Sequence, residues 1–306
     1  MIAFLSELGS VYQHALLPLV FYCGIGVVAF RFLDLDRKSL SKISVYVLLP
    51  PLFFTNLMKV DVPLEAIFKV GVFCVSVLTA MAVIGRLYAR LVRFDAATTS
   101  SAVLSATFFN GVNLGFPMAL FAFGEEGLYY AGLLIAVNAV PHNGFSIYVA
   151  ARGQMSRRDA ALALAKMPIF YVLILAVVAR LLRVEVPEPI MQPIATLGQA
   201  AIPVILICIG MELASIRIGQ IHGKLLGIVA LRLCVAPVVA MALTHLIGIS
   251  GLLQSVLILV ASMPSAMAPI VYARVFGGNV ESLTQAVFYS TIGSFFSLPI
   301  LLMLLR

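Results

Sequence analysis

Amide side chains and helix-breaking residues are concentrated in the stretch FFNGVNLGFPMALF, residues 108–121, whose surroundings are otherwise apolar. Asn110 and Asn113 supply hydrogen-bond donors and acceptors without a formal charge. Gly115 weakens a helix, and Pro117 lacks a backbone N–H and crowds the carbonyl four residues earlier, that of Asn113. We therefore expect the helix to open here, which frees amide donors for an anion and carbonyls for a cation.

A second stretch of this kind is ASMPSAMAP, residues 261–269, in which Pro264 and Pro269 flank Ser265. One such break alone is compatible with an ordinary helix kink. Irregular backbone at membrane depth is tolerated where it is buried in protein or lines a wet cavity. Two breaks in corresponding places of a chain therefore predict a substrate-binding site that both of them form.

Five further polar side chains lie in apolar segments. Asn138 either lines the site or bonds to a neighbouring helix. Gln199 and Tyr46 are candidates to face the site from other helices, and Gln199 is the better one because it is polar and lies in mid-helix. His142 either serves a proton relay or is structural. Arg232 either neutralises an organic anion or a carboxylate, or extends toward the inner membrane face.

Enzymatic chemistry has little support in the residue pattern. The sequence has no paired-carboxylate, HExxH or nucleophile-elbow arrangement, and its acidic residues lie almost entirely between the apolar segments. Its 4 cysteines occur singly, without a CxxC pair. We therefore expect no enzymatic activity, no metal site and no cofactor.

The composition is that of an integral membrane protein: 62% of the 306 residues are hydrophobic, 11% are charged, and the mean hydropathy is +1.10. The first apolar segment is too long for a signal-peptide core and lacks a small-residue cleavage site, so we expect a mature helix. Segments near the length that spans about 30 Å of hydrocarbon predict ten helices. They cover residues 11–30, 39–58, 66–87, 97–121, 128–150, 167–182, 193–213, 225–247, 251–275 and 282–305.

Lysines and arginines are divided unevenly between the two sets of loops. With the N-terminus placed outside, 14 of them fall in inner loops and helix ends and 5 in outer ones. The positive-inside rule then predicts that both termini face the exterior. The net charge of +7 follows from this topology, so it does not indicate nucleic-acid binding.

The longest polar connector, residues 151–166, divides the chain into residues 1–150 and 167–306, each with five predicted helices. Because five is an odd number of crossings, the second half must enter the membrane from the opposite side. Prolines recur across this predicted cytoplasmic linker at offsets of 150 to 152 residues, as Pro18 with Pro168, Pro51 with Pro203, and Pro117 with Pro269. The predicted fold is an all-α membrane protein of two inverted five-helix repeats, with helices 4 and 9 broken.

Four motifs in order along nearly the whole chain resemble the bacterial branch of the auxin efflux carrier family. They are LDRKSLSKISVYVLLPPLFF at 35–54, NLGFPMALFAFGEEGLYYA at 113–131, LGQAAIPVILICIGMEL at 197–213 and SMPSAMAPIVYARVFGGNVES at 262–282. The resemblance implies a carrier in the bacterial inner membrane, with helices 1, 2, 6 and 7 as a scaffold. Helices 3–5 and 8–10 would form a moving transport domain.

The resemblance also implies that helices 4 and 9 cross at their breaks, here at Pro117 and at Pro269 or Pro264, with the substrate beside the crossing. Substrates in this family are organic anions, including auxin, malonate and malate. Ala268 departs from the pattern, because many relatives carry an asparagine there. Any polar contact that this asparagine supplies in relatives is therefore in doubt here.

The sequence thus predicts a secondary transporter of a small organic anion that works by alternating access. Two alternatives stay open, a sodium-coupled organic anion symporter and a membrane receptor that binds the same ligand without moving it. Either a proton or a sodium ion could serve as the coupling ion. A scaffold with an apolar, lipid-facing surface could support a homodimer.

Overall fold

Helices form the regular structure in the residues that the computed structural model describes, which are 9–33, 35–59, 62–150, 168–216, 223–275 and 277–305. The predicted linker at 151–166 lies outside these residues. A π-helical segment, Gly111–Gly115, directly precedes α5. The helices are α1 Gly9–Phe32, α2 Arg37–Lys59, α3 Leu64–Leu91, α4 Ala96–Thr107, α5 Phe116–Ala150, α6 Pro168–Leu181, α7 Glu188–Ser215, α8 Gly223–Ile247, α9 Gly251–Ala261, α10 Ala268–Val275 and α11 Val280–Leu305.

Within the described residues, 7 helical stretches are long and apolar enough to cross a membrane: α1, α2, α3, Gly111–His142, α7, α8 and α11. The protein is therefore an integral, multi-pass membrane protein. The predicted fourth and ninth spans are interrupted, and their first pieces are short, since α4 has 12 residues and α9 has 11. The predicted sixth span is described as the 14-residue α6. The count of ten stays a prediction.

The first break follows α4. This helix starts at Ala96, where the Asp95 carboxylate accepts a hydrogen bond from the backbone N–H of Thr98 (3.2 Å). It ends at Thr107, because Phe108 adopts extended backbone (φ −95°, ψ 115°). Pro117 is the second residue of α5, where a missing N–H leaves no helical hydrogen bond unmade. The backbone therefore opens upstream of the position expected from Pro117.

The second break has the same order of parts. α9 ends at Ala261, residues 262–267 are irregular, and α10 begins at Ala268. Pro269 is the second residue of α10, as Pro117 is of α5. Each break thus consists of a short apolar helix, an irregular segment and a helix with proline in its first turn.

Prolines also set the helix type locally. Four π-helical segments each end two residues before a proline, and the residue before that proline donates its N–H to the carbonyl five residues earlier. The ring of a proline crowds the carbonyl four residues before it, so a wider turn relieves the contact. The segments are Tyr12–Leu16, Ser44–Leu48, Gly111–Gly115 and Leu231–Val235, followed by Pro18, Pro50, Pro117 and Pro237.

The first group of packed helices comprises α1, α2, α6 and α7. α7 packs along α1 and α2, and α2 packs on α6. The approach of α1 to α7 requires glycine, because a Cβ atom on Gly26 would collide with the carbonyl of Ile207, and one on Gly210 with the carbonyl of Cys23. Small residues at such an interface let helix backbones touch inside a membrane.

The second group comprises α3, α4, α5 and α8 to α11. α3 packs on α4, α5 and α8, while α9 packs on α5 and α8, and α11 packs on α4 and α8. The two groups meet where α2 contacts α5, with the rings of Phe53 and Phe116 edge to face at 5.2 Å between centroids. Both breaks belong to the second group.

Candidate functional site

The two breaks meet and satisfy each other's backbone groups. Phe109 and Ser265 form an isolated antiparallel bridge. The N–H of Asn110 donates to the carbonyl of Pro264 (2.8 Å), and the N–H of Ala266 donates to the carbonyl of Phe108 (2.7 Å). A backbone amide left without a hydrogen bond in hydrocarbon costs roughly several kcal/mol. The irregular backbone is therefore tolerated at membrane depth because the two breaks pair with each other.

Buried hydroxyls reinforce the bridge. The hydroxyl of Ser265 donates to the carbonyl of Ser105 (2.8 Å), and the two hydroxyl oxygens lie 2.8 Å apart. The backbone N–H of Ser265 donates to the hydroxyl of Ser290 on α11 (3.1 Å). Ser265, predicted as a ligand contact, is therefore engaged in holding the crossing together.

Arg232, on α8, lies behind the crossing and is fully buried. Its Nε donates to the carbonyl of Met263 (2.9 Å), Nη1 donates to the carbonyl of Ala106 (3.1 Å), and Nη2 donates to the carbonyl of Ala261. The sequence offered contact with an anion or extension toward the inner face. The structure instead places the guanidinium on the backbone at the ends of α4 and α9.

A cavity of about 320 Å³ lies at the crossing, on the boundary between the two helix groups, at the lower end of the range for small-molecule sites. It is lined by α2, by the first break, by α5, by the end of the second break and by the start of α10. The lining residues are Val45, Tyr46, Leu49, Phe109, Asn110, Gly111, Val112, Asn113, Ile135, Asn138, Ala139, His142, Ala266, Met267 and Ala268.

Two amide side chains in this lining have unmet hydrogen-bonding capacity. Asn110 and Asn138 are each 4% exposed. The Nδ2 of Asn110 and the Oδ1 of Asn138 have no hydrogen-bond partner among the described residues. Buried polar groups are almost always paired, so an unmet donor and an unmet acceptor on one cavity indicate a place for a ligand with both functions.

Four of the predicted site residues come together at this cavity: Asn110, Asn113, Asn138 and His142. The ring of His142 stands edge to face against the rings of Phe108 and Phe109, with centroids 4.8 Å and 5.8 Å apart. The imidazole therefore borders both the crossing and the cavity.

The other predicted site residues lie outside the cavity lining. Gln199 is exposed on α7, whereas Tyr46, which the sequence ranked second to it, lines the cavity. The neighbour Gly198 packs against the backbone of Leu52, so the next position on α7 turns away from that contact. The backbone-shaping and bridging residues are Gly115, Pro117, Pro264, Ser265 and Pro269, and all five are buried.

The electrostatic character of the cavity is polar but neutral. The described residues that line it include no lysine, arginine, aspartate or glutamate, and His142 is the one residue among them that can gain a charge by protonation. The π-helical segment begins at Gly111 and α10 begins at Ala268, and both residues line the cavity. Helix starts carry partial positive charge and free N–H groups, which favours an anionic ligand group over a cationic one.

Comparison with known proteins indicates a membrane transporter. Residues 154–302 match the family described as membrane transport protein. An uncharacterized transporter of Methanothermobacter thermautotrophicus is 28% identical over 272 residues, which cover 87% of this chain and 88% of the relative. A protein of Rhizobium meliloti that is provisionally named a malonate transporter is 26% identical over 300 residues, 92% of each chain.

An uncharacterized transporter of Methanocaldococcus jannaschii is 29% identical over 184 residues, which cover 58% of this chain and 59% of the relative. The names of the family and of the relatives all indicate membrane transport rather than enzymatic activity. The resemblance of the motifs to a carrier family agrees with these findings, because residues 154–302 match the membrane transport protein family and the relatives that align with most of the chain are named transporters.

Proposed function

We propose that the protein is a secondary transporter of a small organic anion, and that the cavity at the crossing is its substrate site. The observation that carries this proposal is the unmet donor of Asn110 and the unmet acceptor of Asn138 on one cavity beside two broken helices. A carboxylate oxygen fits the amide donor of Asn110 and the partial positive charge of the helix starts, and a hydroxyl, N–H or protonated carboxyl group of the same ligand would donate to Asn138.

We further propose that the substrate is a mono- or dicarboxylate such as malonate, malate or an auxin-like acid. The Rhizobium meliloti relative, which aligns over 92% of this chain, supports a dicarboxylate. The neutral lining supports a ligand whose charge is met by helix starts and amides rather than by a lysine or arginine.

The proposed mechanism is alternating access between the two helix groups. The group of α1, α2, α6 and α7 would be the scaffold, and the group that holds both breaks would move. The position of the cavity supports this division, because α2 contributes Tyr46 and the second group contributes all three asparagines of the lining. A displacement of one group against the other would open the cavity to one side at a time.

The proposed topology is ten spans in two inverted repeats, 1–150 and 167–306, joined by a cytoplasmic linker, with both termini outside a bacterial inner membrane. The matched order of parts in the two breaks supports a repeat, since Pro117 and Pro269 hold the same place in α5 and α10. The division of basic residues supports the orientation.

A carboxylate screen on purified protein tests the function. We expect malonate, malate or a related acid to raise the melting temperature and its labelled form to cross proteoliposome membranes. Asn110→Ala should weaken the apparent affinity about tenfold or more, because a hydrogen bond to a charged group is lost. Gln199→Ala is the matched control and should behave like the wild type, because Gln199 lies outside the cavity lining.

The same experiment separates the alternatives. Each ligand is tested in sodium and in choline buffer, so a sodium-coupled symporter would show flux in sodium alone. A ligand that shifts the melting temperature without crossing the membrane would make the protein a receptor. Failure of every carboxylate to bind or move would refute the proposed function.

A further inference from the structure

The ends of α4 and α9 bring negative potential to one buried point. α4 ends at Thr107 and α9 ends at Ala261, and the carbonyls of Ala106 and Ala261 both accept hydrogen bonds from one side chain, Arg232. The C-terminal end of a helix carries about half a negative elementary charge. Two such ends therefore call for about one positive charge between them.

Arg232 supplies that charge. Its side chain is 0% exposed, and three of its nitrogens bind three backbone carbonyls. Among the described residues, no carboxylate lies within ion-pair distance of it. A buried charge without a partner is very costly, so the guanidinium is stable here because the two helix ends and their carbonyls replace a carboxylate.

The guanidinium also borders the substrate cavity through one aromatic ring. Its Cζ lies 5.9 Å from the ring centroid of Phe109, and Phe109 lines the cavity. Phe109 is also the bridge residue between the two breaks. A shift of the guanidinium would therefore reach the substrate contacts through the bridge.

We propose that Arg232 is a built-in counter-cation of the crossing, which holds the two helix ends together where a free metal cation would otherwise be required. It is a positioning residue, because it acts on the cavity through Phe109 and the backbone. It follows that the folded crossing needs no sodium ion at this position. Only the transport measurement below rests on the proposed function, while the stability measurements do not.

The first test compares the wild type in sodium, potassium and choline chloride at equal ionic strength. We expect the melting temperature of the ligand-free protein to be the same in all three salts. A rise that is specific to sodium would overturn the proposal, since it would show that the crossing recruits an ion despite Arg232.

The second test removes the guanidinium. Arg232→Met leaves three buried carbonyls without donors, and we expect the melting temperature to fall by about 10 °C or more. Arg232→Lys keeps the charge with fewer donor directions and should fall about half as far. Arg274→Met removes an exposed arginine from α10 and is the matched control, with no shift expected. An unchanged melting temperature of Arg232→Met would contradict the proposal.

The third test separates a counter-cation from a merely structural side chain. Arg232→Ala leaves space between the helix ends, so we expect sodium or millimolar methylguanidinium to raise its melting temperature relative to choline. The wild type should show neither response. If Arg232→Ala folds and responds to neither cation, the proposal fails. If it does not fold, the wild-type salt series and the Arg232→Lys shift decide.

Transport then distinguishes this inference from the proposed function. We expect carboxylate flux to be lost in Arg232→Met and partly retained in Arg232→Lys. If no carboxylate moves even in the wild type, the proposed function fails, but the salt and cation responses still decide the role of Arg232. Full flux in Arg232→Met would overturn the inference and leave the proposed function intact.

Discussion

The Oδ1 of Asn138 is a hydrogen-bond acceptor without a partner at a buried position, which is unusual for a residue with a purely structural role. Such a group costs about 1–3 kcal/mol of stability. We therefore expect Asn138→Leu to raise the free energy of unfolding of the ligand-free protein by about 1 kcal/mol. The same change should abolish the thermal shift with carboxylates, so stability and binding should move in opposite directions.

Asn56 is the matched control for this substitution. It is equally buried, at 3% exposed, but its Nδ2 donates to the carbonyl of Leu52 (2.8 Å). Asn56→Leu should lower the free energy of unfolding and preserve the response to carboxylate. If Asn138→Leu is destabilised as much as Asn56→Leu, Asn138 is a structural amide and not a ligand contact.

Single residues also show how far the sequence alone could go. Asn110 and Asn138 could be predicted as site residues because uncharged amides have few reasons to lie in hydrocarbon, and both line the cavity. Gln199 met the same criterion but lies exposed, because the rotation of α7 is set by the contact of Gly198 with Leu52, far away in sequence. The sequence alone could not predict the hydrogen-bond partners of Arg232 either, since the carbonyl of Ala106 is 126 residues away along the chain.

At the scale of helices, proline content predicted where the backbone departs from α-helix, but not how. Pro117 was expected to open the turn at Asn113. The structure accommodates this proline with the wide turn of Gly111–Gly115 and opens the backbone earlier, at Phe108. The opening depends on hydrogen bonds to Pro264 and Ala266 in the other break, which no local pattern contains.

The N-terminus of α4 offers a test of how the first half-helix is held. Hydrogen bonds from the hydroxyl and the N–H of Thr98 hold the pKa of Asp95 below its ordinary value. The carboxylate therefore stabilises the fold above about pH 4, and this contribution is lost as the pH falls through the lowered pKa. We expect Asp95→Ala to cost about 0.5 kcal/mol at pH 7, at the low end for a helix cap because Asp95 is exposed.

Melting temperatures of Asp95→Ala and the wild type should converge as the buffer is made more acidic. Asp95→Asn is the control, because asparagine keeps the cap geometry without the charge, and it should lie near the wild type at pH 7. A gap between wild type and Asp95→Ala that is constant down to about pH 3 would show that the carboxylate does not cap α4.

For the whole molecule, composition and motif order were sufficient to predict a membrane protein that resembles a carrier family. The 7 long apolar helical stretches of the described residues confirm the first part, and the match of residues 154–302 to the membrane transport protein family agrees with the second. The span count could not be verified in the same way. Helices α4 and α9 end inside the protein because Arg232 and the facing break satisfy their last carbonyls. A broken span therefore looks like one long apolar segment in sequence and like two short helices in structure.

An ion pair between α2 and α5 allows the proposed movement of the two helix groups to be tested. Lys59 at the end of α2 lies 3.9 Å from the Glu125 carboxylate of α5, which also accepts a hydrogen bond from the Tyr129 hydroxyl (2.6 Å). Glu125 follows Gly124, whose φ of 69° interrupts α5. Such an exposed ion pair stabilises by less than about 1 kcal/mol, so it permits the groups to separate.

A covalent link between positions 59 and 125 should prevent the two helix groups from separating. We expect a short thiol cross-linker between Lys59→Cys and Glu125→Cys, with exposed Cys234 replaced by alanine, to reduce carboxylate flux at least tenfold without lowering the melting temperature. The control is Glu65→Cys with Lys69→Cys, an ion pair of 2.8 Å within α3 alone, where a cross-link should leave flux intact. Undiminished flux in the cross-linked Lys59–Glu125 variant would mean that α2 and α5 move together, and the scaffold boundary would have to lie elsewhere.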